Sequence, residues 1–151
     1  MLVNGLPIPK LLLEMIQDHR WRHPGDEILR ELIPEMYTPV CDPVNFLSTV
    51  ESIERESAIP TYSDTFYELY KEGRGSNQAV PDLPWMDVEK RLFIAVCAVP
   101  GADVGIALDY RISTEPRVVA LVFGGDDVGF FWTKVSDSFK AFVADCGLLA
   151  D

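Results

Sequence analysis

A chain of 151 residues with 48% apolar content is long enough for one domain with a sizeable core and too apolar to remain disordered. Asp and Glu number 24 against 13 Lys and Arg, a net charge of −11 that repels nucleic acid and anionic lipid and favours basic partners. The longest apolar run falls far short of the ~18 residues of a membrane span, the N-terminus lacks the basic and long apolar regions of a secretory signal, and Cys41, Cys97 and Cys146 are an odd, widely spaced set that suits reduced thiols in a cytoplasm.

The first predicted element is a helix from about Pro9 to Arg20. Ile8, Leu12, Met15, Ile16 and His19 repeat at helical spacing along one apolar face. Pro24 and Gly25 cannot continue that pattern. Asp26 is placed to cap a short second helix carrying Ile28, Leu29, Leu32 and Ile33, stopped by Pro34. Asp42 followed by Pro43 reads as a cap and first turn, so a third helix is expected from about Pro43 to Arg55, with Phe46, Leu47, Val50 and Ile53 inward. A fourth helix is expected over Ser63 to Glu72, with Phe66, Leu69 and Tyr70 inward. Its aromatic density also suits a strand. Gly73 to Pro84 is loop, joining a helical half to a sheet half; neither half has apolar surface enough to stand alone, so residues 1–151 form one domain.

The remainder is organised around Arg91 to Phe123. Leu92 to Val99 is a continuous apolar run of strand length and should be covered on both faces. After a turn at Pro100 to Asp103, Val104 to Arg111 puts Val104, Ile106, Leu108 and Tyr110 on one face and Gly105, Ala107, Asp109 and Arg111 on the other. Val118 to Phe123 follows, rich in β-branched residues, and Val128 to Thr133 reads as an edge strand after Gly124 and Gly125. Ser136 should cap a last helix with Asp137 in its first turn and Phe139, Phe142, Val143 and Cys146 buried. The fold class is therefore α+β: an antiparallel meander in the C-terminal half, packed with N-terminal helices and one C-terminal helix.

Few residues form a set that carries chemistry. His19 and His23 are four apart, but Pro24 and Gly25 put His23 at or beyond the helix end, and no Cys or acidic cluster completes a metal site. The thiols lie near no histidine that could serve as a base. Neither Gly73 to Ser76 nor Gly124 to Gly125 has the spacing of a phosphate loop. Asp126 and Asp127 read as solvated hairpin-turn residues, and Asp82, Asp87 and Glu89 as loop acids without a matched pair for acid–base work. Asp109 and Arg111 stand apart. A carboxylate on a strand face of small residues must be exposed or paired, which makes the two either a structural ion pair at a sheet end or part of a recognition surface.

Leu83-Pro-Trp-Met-Asp-Val-Glu-Lys-Arg-Leu-Phe-Ile-Ala95 resembles the segment that leads into the sheet of SUKH-superfamily domains. Ile106 to Arg111 with Pro116 to Ala120 resembles the next strand pair, and Trp132 to Leu148, with Ser138, Phe139 and Phe142, the closing segment. Leu6 to Pro9 and Arg20 to Asp26 are similar to bacterial members. The likeness covers most of the chain, although the family's glycine-rich turn before the sheet has only Gly73 to Gly75 to stand for it. The resemblance implies an α+β protein-binding domain rather than an enzyme, without a cofactor. In bacteria such a domain is often an immunity protein that neutralises a toxin, including basic nuclease toxins; the second reading is a regulatory or housekeeping interaction domain of the same fold, and the third a small enzyme with dispersed catalytic residues.

The charge distribution agrees with a basic protein partner. Between Cys41 and Lys90 there are ten acidic residues against four basic. The candidate contacts are Glu51, Glu54 and Glu56 on the outer side of the third helix and Asp82 and Asp87 in the loop. Trp85 is either an apolar anchor or a core plug. Asp109 and Arg111 complete the set at the strand end.

Overall fold

The computed structural model describes residues 1–36, 44–59, 63–76, 82–98, 104–125 and 127–149. The chain opens with a small hairpin, β1 (Leu2–Val3) against β2 (Leu6–Pro7). Asn4 and Gly5 form its turn with φ of 52° and 80°, the left-handed pair that an Asn-Gly hairpin needs. Helix α1 (Lys10–Gln17) buries Leu12 and Met15 completely. It stops three residues before Arg20, because His19 turns left-handed at φ 58° and the Arg20 and Trp21 amides both fold back onto the Met15 carbonyl. That turn carries Trp21 into the core. Helix α2 (Asp26–Leu32) starts on Asp26 itself, with Gly25 as its cap residue, and a short 3-10 turn at Pro34–Met36 follows.

The third expected helix divides in two. Val44–Phe46 is a strand, β3, and helix α3 (Val50–Ser57) begins only after Thr49. Thr49 Oγ1 accepts from the Ser52 amide at 3.0 Å, and Ser52 Oγ lies 3.3 Å from the Thr49 amide, a reciprocal cap. The upstream start signal at Asp42 and Pro43 lies outside the described residues. Helix α4 (Asp64–Gly73) is capped by Ser63, whose hydroxyl accepts from the Phe66 amide at 3.1 Å. Its rotation differs from expectation. Phe66 and Leu69 are 41% and 60% exposed, whereas Lys71 is buried and Tyr67 and Tyr70 are partly covered. The side-chain stems that face the body are amphipathic, and their polar tips find partners there.

After a 3-10 turn at Val88–Lys90 come β4 (Arg91–Cys97), β5 (Gly105–Asp109), β6 (Arg117–Phe123) and β7 (Phe130–Ser136). With β3 they form a five-stranded antiparallel sheet in the order β3-β4-β5-β6-β7. Every residue of β5 is buried, so the centre of the sheet is covered on both faces. Beyond the end of β3 the β4 edge is closed by other groups. The Leu47 amide donates to the Ile94 carbonyl, and the Ser57 hydroxyl accepts from the Phe93 amide at 2.9 Å. On the far edge, the Trp132 amide of β7 donates to the Pro84 carbonyl.

Helix α5 (Phe139–Asp145) ends the fold. Its cap is Ser138, whose hydroxyl accepts from the Ala141 amide; Ser136 is instead the last residue of β7. Asp137 therefore precedes the helix and pairs with Lys134 at 2.7 Å. Phe139 and Phe142 pack on Trp21, which also touches Phe46 at 4.6 Å between ring centres. One apolar cluster thus takes residues from Val3 through to Leu148.

Gly105 shows how tightly the other face is built. A Cβ there would stand 2.5 Å from the Ala95 carbonyl oxygen and 3.1 Å from the Phe93 ring, which stacks toward Trp132. Gly105→Ala is expected to cost about 1–3 kcal/mol of stability by overpacking a site that cannot yield. Chemical denaturation measures it, and an unchanged midpoint would mean that the strand relaxes freely at this point.

Candidate functional site

Asp109 ends β5 directly opposite Arg117 on β6, so the two side chains share a face. Arg111 lies two residues on, past the end of the strand. The Asp109 carboxylate has no exposed surface and both oxygens are engaged. Oδ1 accepts from the Arg111 amide at 3.0 Å and from Arg111 Nε at 3.1 Å; Oδ2 accepts from Arg111 Nη2 at 3.2 Å and from Arg117 Nε at 2.8 Å. Asp82, 72% exposed, sits at the rim: its Oδ1 accepts from the Leu83 amide at 2.7 Å and from Arg117 Nη2 at 3.0 Å, and lies 3.9 Å from Arg111 Nη2. Two carboxylates and two guanidinium groups form one alternating network.

The electrostatics follow from that geometry. Burial alone pushes the Asp109 carboxyl up, but the Arg111 side chain, the Arg111 amide and Arg117 outweigh it and hold the group below the usual aspartate range. The Asp82 carboxyl is also lowered, first by the Leu83 amide and then by Arg117. Arg117 is raised: burial pulls it down, and its bonds to Asp109 and Asp82 more than offset that. A carboxylate pinned in its charged form by two cations is unsuited to proton transfer near neutrality. The arrangement is suited instead to fastening the β5–β6 end to the loop that carries Asp82.

That loop holds two further sequence candidates. Trp85 is partly buried, and its amide donates to the Asp82 carbonyl. Its ring lies 3.6 Å from the place where a Cβ on Gly75 would stand. Asp87 caps the Val88–Lys90 turn by accepting from the Glu89 amide at 3.0 Å. Glu51, Glu54 and Glu56 are exposed on α3, which packs along β4. The eight candidates therefore fall into two groups, one on a helix beside β4 and one at the loop and strand end, where Asp109 is enclosed and Asp82 is engaged by arginine.

Sequence reasoning missed two features. One is the outer face of α4, where Leu69 and Phe66 stand exposed among the exposed acids Asp64, Glu68 and Glu72. The other is Arg91, 2% exposed at the start of β4. Its Nη1 donates to the Ser57 carbonyl at 2.7 Å and its Nη2 to the Tyr70 hydroxyl at 3.1 Å, so it ties the end of α3 to α4. The available signal was its place two residues before Phe93 on the same strand face.

Among the described residues no group of three or more His, Cys, Asp or Glu side chains could hold a metal ion. None of the described helices is long and apolar enough to cross a membrane. Cys97 and Cys146 are buried, and burial, with the nearby Asp145 charge, pushes the Cys146 thiol up to about 12, away from thiolate chemistry. Cys41 lies outside the described residues. Comparison with protein-family models, curated proteins and solved structures finds no match to the chain.

Proposed function

We propose that this chain is a protein-binding module for a basic protein domain, acting in the cytoplasm as an immunity protein that neutralises a bacterial toxin. The observation that carries the binding role is the α3–α4 flank. Glu51, Glu54 and Glu56 are exposed on α3, and Asp64, Glu68 and Glu72 are exposed on α4, whose Leu69 is 60% exposed. Arg91 joins the two helices beneath. Arg55 pairs with Glu56 and Lys71 with Glu68, which leaves six acids against two basic residues on the two helices, and exposed apolar surface among such an acid excess suits the docking of a basic partner. Elsewhere, too, the charge faces outward: every described carboxylate except Asp87 and Asp109 is exposed. The toxin rests on the SUKH resemblance of Leu83 to Ala95, Ile106 to Arg111, Pro116 to Ala120 and Trp132 to Leu148.

The test begins with co-purification from the native cell and identification of the bound protein. Association is then followed by stopped flow from low to high salt. Complementary charge accelerates encounter, and screening over ~8 Å at physiological salt slows it. The association rate should fall steeply with salt while dissociation changes little. Glu54→Lys combined with Glu68→Lys should lower the low-salt association rate by about tenfold or more. An acidic partner, or an association rate indifferent to salt and to these substitutions, would remove the electrostatic basis of the assignment.

A further inference from the structure

A cleft of about 350 Å3 opens where the β1–β2 turn, the end of α3 and the start of β4 meet, lined by Asn4, Ser57, Ala58, Tyr67, Glu89 and Arg91 among others. Arg91 is its unusual member. The guanidinium is buried, stacked over the Phe93 ring at 4.6 Å, and its hydrogen-bond partners among the described residues are neutral: the Ser57 carbonyl and the Tyr70 hydroxyl. Its Nε has no hydrogen-bond partner among the described residues, and none of their carboxylates is in ion-pair range of it. Asp109 stands directly across the β4–β5 ladder from Arg91, yet both its oxygens are committed to Arg111 and Arg117. A buried cation without a counter-charge among the described residues is costly, and burial accordingly pulls the Arg91 pKa below its ordinary value.

We propose that this cleft is a binding site for a carboxylate group, which supplies the counter-charge that the described residues do not give Arg91. A carboxylate is planar and matches the guanidinium fork. The Ser57 hydroxyl, which accepts from the Phe93 amide, keeps its own proton to donate. Glu89 narrows the choice of anion. Its carboxylate stands exposed on the cleft lining, held by the Tyr67 hydroxyl, and repels a second negative charge. The site therefore favours a monoanion over a phosphate dianion. The inference does not depend on the partner reading above, since the counter-charge is needed whether or not a protein docks on α3 and α4.

The experiment is an NMR titration of the whole chain, following the Arg91 Nε–H and the Ser57 and Ala58 amides. N-acetylglycine should give a saturable shift of all three, its neutral amide none, and inorganic phosphate a weaker one. Arg91→Gln should weaken binding by about tenfold or more. Should that variant fail to fold, Ala58→Trp, which fills the cleft from an exposed position, should abolish the shift while leaving the Arg91 signal in place. Tetraglycine with a free C-terminus distinguishes the two sources of the carboxylate: tighter binding than N-acetylglycine marks a chain end, equal binding a small free acid. No saturable shift, an equal response to the amide, tighter binding of phosphate, or a response that survives Ala58→Trp each overturns the assignment.

Discussion

Replacing Asp109 by Asn is expected to cost about 3–5 kcal/mol, because it removes a buried negative charge shared by two arginines and leaves them only the exposed Asp82 carboxylate of that network. Arg111 and Arg117 are themselves only 13% and 16% exposed, so water recovers little of the loss. In urea the midpoint should fall by about 2 M for a slope near 2 kcal/mol/M. The effect has a defined pH dependence. The folded carboxyl titrates below its unfolded value of about 3.9, so its contribution is fully present above that pH and disappears as pH falls through the lower folded value. The gap between the wild-type chain and Asp109→Asn should therefore be constant from pH 7 to 5 and shrink toward pH 2. A cost below about 1 kcal/mol at neutral pH would place the network with exposed surface pairs and contradict its enclosure.

Trp132→Ala should be comparably severe, about 3–5 kcal/mol, since it opens a large cavity in the sheet face. Trp132 is 1% exposed, and its ring lies 6.0 Å from that of Phe93 at a shallow 26°. Its indole N–H also donates to the Arg74 carbonyl at 2.7 Å, linking the end of α4 to the outer strand. Trp132→Phe separates the two contributions. It keeps an aromatic body and removes the donor, and should cost about 1–3 kcal/mol, part of it from the stranded Arg74 carbonyl and part from the smaller ring. Equal losses for Phe and Ala would mean that the hydrogen bond, rather than the packing, holds this face together.

The two predictions concern residues of unequal legibility. Asp109 and Arg111 were readable as a pair because two-residue spacing on a strand puts both on one face, and a charge among Gly105 and Ala107 requires a partner. Arg117 was not readable, because its place opposite Asp109 depends on the β5–β6 register rather than on distance along the chain. The same holds for Asp82, brought to Arg117 from 35 residues away. Arg91 directly precedes the apolar run that begins at Leu92, and nothing local assigns it a role. Its burial depends on Ser57 and Tyr70, which come from two helices that local sequence cannot orient against β4.

By itself the sequence determined the α+β class, the four meander strands, and the presence of helices before and after them. Those features rest on periodicity and local punctuation: alternation or unbroken apolarity for strands, three- and four-residue spacing for helices, proline and glycine for ends. The acid excess was likewise legible there. Tertiary structure decided where local signals competed. Val44–Phe46 lay inside an apolar pattern that suits a helix, but β4 offers an edge whose backbone groups need partners, and pairing there outweighs the local preference. Phe66 and Leu69 had the spacing of a buried face, yet α4 is turned so that Tyr70 reaches Arg91 and Lys71 is buried, which leaves the apolar pair outside. A helical pattern says that one face is apolar; what covers it depends on the rest of the chain.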